Sequence, residues 1–285
     1  MSPRRMSHYE LIVASASRPH LLQRTLASLA ACAIPRPRRM FLHDDAKFAG
    51  QVGGVQAAIQ SLRDDGVPAV WSADDPPIRH GAALRWLLAR VETEFVLYSQ
   101  DDHIALRPLP IEAALGVMDR DSTVNQIRFN KRETAPYKDT WQGRWDKIER
   151  CAAARECAPS CMRTVGGEPT LGRRGLTGCG CGAIVVLTVA DHWYFQTGLW
   201  RTEFISRAVA KAGALYPTLY AKSCEEAINA ALDAPLADPR DQQERMKRVG
   251  TYIWGPIGEP AYVRHSGGAP EDWAGDHKRE ELRGA

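Results

Sequence analysis

The sequence predicts an α/β fold built on a mixed, mostly parallel sheet flanked by helices, and three observations carry that prediction. Short apolar runs alternate with stretches of helical spacing from Tyr9 onward. The run Phe95-Val96-Leu97-Tyr98-Ser99 is short, apolar and aromatic, and reads as a buried strand. It stops at two adjacent carboxylates, Asp101 and Asp102. Strands of an open α/β sheet deliver their C-terminal residues to the edge where ligands bind. Two carboxylates there repel each other and lose hydration, so a cation or a hydrogen-bonded ligand must compensate. A hard divalent metal accepts one or two carboxylates and completes its shell with phosphate oxygens, which points to a metal–diphosphate site.

Taken in order, residues 9–14 form the first strand. Ser15-Ala16-Ser17-Arg18-Pro19 turns the chain, and Pro19 stands where helices begin. Residues 20–32 place Leu22, Leu26 and Leu29 on one helical face before Pro35 and Pro37 break the helix. A second strand, 39–43, runs into Asp44-Asp45. Then come a helix at 50–62, a short strand at 69–71, a helix at 81–91 and the strand 95–99. Asp74-Asp75 is expected in a loop between them. After Pro108-Leu109-Pro110 a helix reaches about Met118, and 124–130 is another strand. Residues 133–181 read as irregular, and an unstructured stretch of that length is functional or separately stabilised. A strand at 183–189 and helices at 203–212 and 225–232 follow, and the polar tail from 269 is expected to fray. Strands alternating with helices imply right-handed crossovers.

Composition narrows the function. Of 285 residues, 44% are hydrophobic and 25% charged, the balance of an ordinary globular domain. A net charge of +3 is too weak to argue for nucleic acid by itself. No apolar window has the length of a membrane span, and the apolar run 11–14 is too short for a signal peptide, so a cytoplasmic protein is expected. Five of the seven cysteines fall together: Cys151, Cys157, Cys161, Cys179 and Cys181. In a cytosolic chain this favours a structural Zn2+ over disulfides. The spacings match no paired C-x2-C pattern, and free thiols packed as small hydrophobes are the alternative.

Several chemistries lack their motifs. No G-x-G-x-x-G follows the first strand, and there is no Walker A loop and no G-x-S-x-G elbow. What remains is a series of acidic strand ends, the pair Glu225-Glu226, and His265 followed by Ser266-Gly267-Gly268.

With these residues the chain resembles the GT-A glycosyltransferases, whose fold is Rossmann-like, and above all the large inverting family typified by bacterial polysaccharide synthases. The likeness begins at Val13-Ala14-Ser15-Ala16-Ser17-Arg18-Pro19 with Leu22, Thr25, Leu26, Ser28 and Leu29. It continues through Phe41-Leu42-His43-Asp44-Asp45, His80-Gly81-Ala82-Ala83-Leu84 and Gln100-Asp101-Asp102, where Gln stands for the family's Glu. Residues 193–205 are similar to its acceptor-side segment. The match covers 9–110 well and 183–268 loosely, so 1–132 reads as the donor-binding half, 133–182 as a Cys-rich insertion, 183–268 as the acceptor-side half and 269–285 as a tail.

The resemblance implies a nucleoside diphosphate sugar, UDP by default, and Mn2+ or Mg2+ on its diphosphate. It makes Asp102 and His265 metal ligands and Asp101 a contact to ribose or to metal-bound water. Asp44 or Asp45 accepts from the base or ribose, and Ser15 and Arg18 line the nucleotide pocket. Glu225 or Glu226 is the base, with Glu226 preferred as second of the pair and Glu203 a weaker alternative. The metal neutralises charge developing on the leaving diphosphate, and the base lies opposite it on a separate segment.

The acceptor stays open between a saccharide, a lipid-linked saccharide and a hydroxymethylated base in DNA. The DNA option rests on the basic and aromatic stretch Arg128, Lys131, Arg132, Lys138, Arg144 and Lys147 with Tyr137, Trp141 and Trp145. Trp193 and Trp200, like Trp141 and Trp145, are read either as stacking surfaces or as core. Two rival functions remain: a nucleotidyltransferase, and a non-catalytic nucleic-acid or glycan binding module with structural zinc.

Overall fold

The computed structural model describes residues 8–16, 18–45, 52–64, 66, 68–74, 78–129, 149–151, 162–165, 168–171, 186–190, 193–234, 249–254 and 262–265. The first half alternates β1 (Tyr9–Ser15), α1 (Pro19–Cys32), β2 (Met40–Asp45), α2 (Val52–Asp64), β3 (Ala69–Asp74), α3 (Arg79–Leu88) and β4 (Phe95–Gln100). All four strands are parallel, in the order β3-β2-β1-β4. Every residue of β1 is buried, as a strand covered on both faces requires. Leu11 and Val13 face one helical layer, with Leu22 and Leu26 of α1 and Val55 and Ile59 of α2. Ile12 and Ala14 face the other, with Leu84 and Leu87 of α3. Each fully buried leucine contributes about 2 kcal/mol of hydrophobic stabilisation.

After β4 come β5 (His103–Ala105), α4 (Ile111–Arg120), β6 (Gln126–Arg128), β7 (Glu149–Cys151), β8 (Met162–Val165), β9 (Glu168–Leu171) and β10 (Val186–Ala190). The chain continues with β11 (Gly198–Arg201), α5 (Thr202–Leu215), α6 (Pro217–Lys222), α7 (Cys224–Asp233), β12 (Thr251–Trp254) and β13 (Val263–His265). The sheet extends as β4-β11-β6-β12-β10-β7, with β11 antiparallel to both its neighbours and β12 parallel to β6. A parallel Rossmann-like half thus joins a mixed half. Gly198 makes the junction close: a Cβ there would sit 2.4 Å from the Ile127 carbonyl oxygen. α4 lies in the first helical layer, and α5, α6 and α7 lie with α3 in the second.

Several expectations change. Residues 133–181 are not irregular throughout: β7 pairs with β10 at the sheet edge, and β8 and β9 form an antiparallel ladder. Strand 124–130 contracts to β6, and Asp74 closes β3 and is not in a loop. Trp193 and Trp200 are core residues: both are fully buried, and Trp200 stacks on Tyr98 at 4.1 Å. Aromatic composition is the same for a core and a stacking surface, so burial decides between them. The basic and aromatic stretch 131–147, Cys157, Cys161, Cys179, Cys181 and the tail lie outside the described residues, and of Cys151 only the backbone is described.

Candidate functional site

The Asp pair is fixed by its own strand end. β4 pairs with β1 as far as Gln100, and the Asp101 amide then donates to the Ala14 carbonyl at 3.1 Å. Thr25 of α1 donates its hydroxyl to the Asp101 carbonyl at 2.8 Å. The Asp101 side chain, 2% exposed, is held by the β1–α1 turn. It accepts the Ala16 N–H at 2.9 Å, the Ser15 hydroxyl at 3.3 Å and Arg18 Nε at 3.1 Å. Arg18 Nη2 bonds its other oxygen and also reaches Asp102 Oδ2 at 2.9 Å. Burial pushes the Asp101 carboxyl up, and Arg18 opposes that shift. Burial lowers and both aspartates raise the Arg18 guanidinium, which ends above its ordinary value. Ser15 and Arg18, expected to line a nucleotide pocket, are engaged by the Asp101 carboxylate in this structure.

Asp102 faces a different set of groups. β13 pairs antiparallel with β5, with His265 directly opposite His103. Opposed residues of such a pair project to the same face, and the two imidazole rings meet edge to face at 5.3 Å. His265 Nε2 lies 3.2 Å from Asp102 Oδ2, and His103 Nε2 lies 3.9 Å from Oδ1. One ligand atom from each of the three residues falls within 4.8 Å of the others, a spacing that suits one metal ion. Burial raises the Asp102 carboxyl, but the His265 hydrogen bond with the charges of His103 and Arg18 holds it below the usual range. Burial pushes His103 down to about 4 against the pull of Asp102, so the ring is neutral at pH 7. Two carboxylates and one guanidinium leave a net negative charge, which suits a cation. His103 had no role in the sequence reading; its position beside the pair was visible, its partner strand was not.

Asp44 lies opposite Ser15 in the β1–β2 pairing. Asp44, fully buried, and Asp45 end β2. Asp45 accepts the amide of Arg79, whose φ of 66° is left-handed. His80 Nε2 meets the Tyr98 hydroxyl at 2.9 Å, and Gln100 donates to that hydroxyl at 2.9 Å. The Tyr98 hydroxyl feels the charges of both Glu225 and Asp102. Gly81 accommodates the Tyr220 ring, which a Cβ would meet at 2.5 Å.

The first turn of α7 carries the acidic pair. Glu225 accepts the Phe195 N–H at 2.8 Å, and Asn229 accepts the Trp193 N–H at 2.8 Å. These bonds dock the helix N-terminus on the segment leading into β11. Glu226 is exposed. Glu203 pairs with Arg207 one turn along α5, with both side chains solvent-exposed.

No protein-family model matches the chain, and no curated protein matches it. Solved structures that it is similar to include the mannosyltransferase PcManGT from Pyrobaculum calidifontis in complex with GDP-Man and Mn2+. That likeness has 14% identity and a TM-score of 0.47, over 72% of this chain and 47% of that one. S. aureus TarS 1–349 in complex with UDP is similar at 12% identity and a TM-score of 0.49, over 93% of this chain and 62% of that one. The chain thus spans 47% to 62% of the length of these two proteins. The fold assignment itself rests on the strand order and the crossovers.

Proposed function

We propose that the chain is a metal-dependent glycosyltransferase that moves a sugar from a nucleoside diphosphate, UDP by resemblance, to an acceptor hydroxyl with inversion. The observation that carries this reading is the meeting of Asp102 with His265 at the carboxyl ends of the strands. Asp102 and His265 would hold Mn2+ or Mg2+, which neutralises charge on the leaving diphosphate when bound. Asp44 or Asp45 at the end of β2 accepts a hydrogen bond from the base or ribose. Arg79, with its amide on Asp45, fixes that carboxylate.

Glu226 is the base. It takes the proton of the acceptor hydroxyl as that oxygen bonds to the anomeric carbon. The bond from that carbon to the diphosphate oxygen breaks, and its electron pair leaves with the nucleoside diphosphate. Glu225 is occupied by the Phe195 amide, which supports Glu226 as the member of the pair that meets the acceptor. By resemblance the acceptor is a saccharide, free or lipid-linked.

The test is release of nucleoside diphosphate from UDP-sugars over a panel of saccharide acceptors in Mn2+. Glu226→Gln is expected to lower kcat by about 10² to 10⁴, with donor affinity changed less than about twofold. A variant as fast as the parent chain would remove Glu226 from the mechanism.

A further inference from the structure

We propose that His103 is a third metal ligand, making a two-histidine, one-carboxylate centre that selects a transition-metal ion over Mg2+. The inference rests on the metal-dependent reading above and deepens it. Its first support is placement. His103 is 2% exposed, and its Nε2 points at Asp102 Oδ1 over 3.9 Å, too long for a hydrogen bond. Metal–nitrogen and metal–oxygen bonds of about 2.0–2.2 Å let one ion bridge such a gap.

The second support is a hydroxyl chain that orients the ring. Ser99, fully buried, donates to the Gln100 carbonyl at 3.3 Å. Its hydroxyl meets that of Thr197, also fully buried, at 3.0 Å. The Thr197 hydroxyl in turn meets His103 Nδ1 at 3.1 Å, and metal binding through Nε2 requires Nδ1 to be the nitrogen that donates to it. That tautomer leaves the Nε2 lone pair facing Asp102 and His265. A metal-binding histidine whose other nitrogen donates to a buried oxygen is the common way in which proteins aim an imidazole.

Ligand chemistry then sets the metal. Mg2+ prefers an all-oxygen octahedron and binds imidazole poorly. Two imidazoles and a carboxylate favour Mn2+, Fe2+, Co2+ or Zn2+, with affinity rising along the series. Thr197 is a positioning residue in this account, and His103 is the ligand.

The experiment uses the full chain, the metal alone and no nucleotide. Mn2+ is chosen as probe because it binds thiolates weakly, so the cysteines do not compete. Titration followed by electron paramagnetic resonance is expected to give one Mn2+ per chain, bound at least about 100-fold more tightly than Mg2+ in competition. Pulsed spectra should show two imidazole nitrogens on the ion. His103→Gln should remove one of them and weaken Mn2+ about 10- to 100-fold, and Thr197→Val should weaken it by a smaller factor with both nitrogens retained. Circular dichroism checks that each variant is folded, and Thr197→Val keeps the test alive where His103→Gln does not fold. Equal affinity for Mg2+ and Mn2+, one nitrogen in the parent chain, or no effect of either substitution would overturn the proposal. Mn2+ binding as described without nucleotide-sugar turnover sinks the transferase reading and leaves the metal centre standing. Turnover with Mg2+ as effective as Mn2+ does the reverse.

Discussion

The parallel half of the sheet and the elements outside it contribute to the site in opposite ways. The parallel half places Asp101 and Asp102 by contacts that are built into β1, β4 and the turn between β1 and α1: Ala14, Ser15, Ala16, Arg18 and Thr25. Elements outside it bring single side chains across long stretches of sequence. Thr197 comes from the approach to β11, and His265 from β13, which pairs with β5 outside the nine-stranded sheet. A buried pair of carboxylates needs a rigid, charge-compensated seat, and a helix-backed parallel sheet supplies it. In the proposed mechanism the metal ligand His265 and the base Glu226 approach on a short strand and a helix N-terminus.

The comparison breaks first at Arg18. Arg18→Ala leaves Asp101 buried without its guanidinium, and the expected loss is about 3 kcal/mol of unfolding free energy in urea. A loss below about 1 kcal/mol would mean that the Ala16 and Ser15 donors suffice and that the clamp is incidental. The matching change in the mixed half is Gly198→Ala. Its Cβ would meet backbone, the Ile127 oxygen and the Arg128 Cα at 3.0 Å, so β11 must shift against β6. About 1–3 kcal/mol is expected, with Asp102 left in place. Thr197 immediately precedes this glycine, so Mn2+ affinity should fall with it.

An effect of similar or smaller size is the pH dependence from His80. Burial pushes its ring down to about 4 in the folded chain, against an ordinary value of 6.5. The unfolded chain therefore binds the proton first as pH falls. The stability in question is fully present above pH 6.5 and is lost progressively as pH falls towards 4. On the order of 1–3 kcal/mol is at stake for a shift of this size. His103, also at about 4, adds to the same acid limb. Urea midpoints at pH 7.5 and 5.0 should converge in His80→Gln by roughly half of the parent's difference. An unchanged acid limb would place the titration elsewhere.

Much of the parallel half was legible in the sequence because its strands and helices carry their own periodicity. Residues 9–14, 20–32 and 95–99 became β1, α1 and β4, each with one end moved by one position. The rest of the chain was not legible in the same way. β5, β11, β12 and β13 are three or four residues long, too short for a pattern, and exist because of partners far along the chain. The Asp pair was readable as an apolar run ending in charge. His265 was reachable only through resemblance, and His103 only through the ladder that sets it opposite His265. Trp193 and Trp200 show a second limit: tertiary burial alone separates core from binding surface.

The most direct test is calorimetric titration of UDP into metal-free chain, with and without Mn2+, alongside Asp102→Ala. The account predicts Mn2+-dependent binding in the parent chain and none in the variant, because Asp102 links the parallel half to His265. Silence towards UDP, GDP and the other nucleoside diphosphates in both conditions would contradict it, as would UDP binding that ignores both Mn2+ and the loss of Asp102.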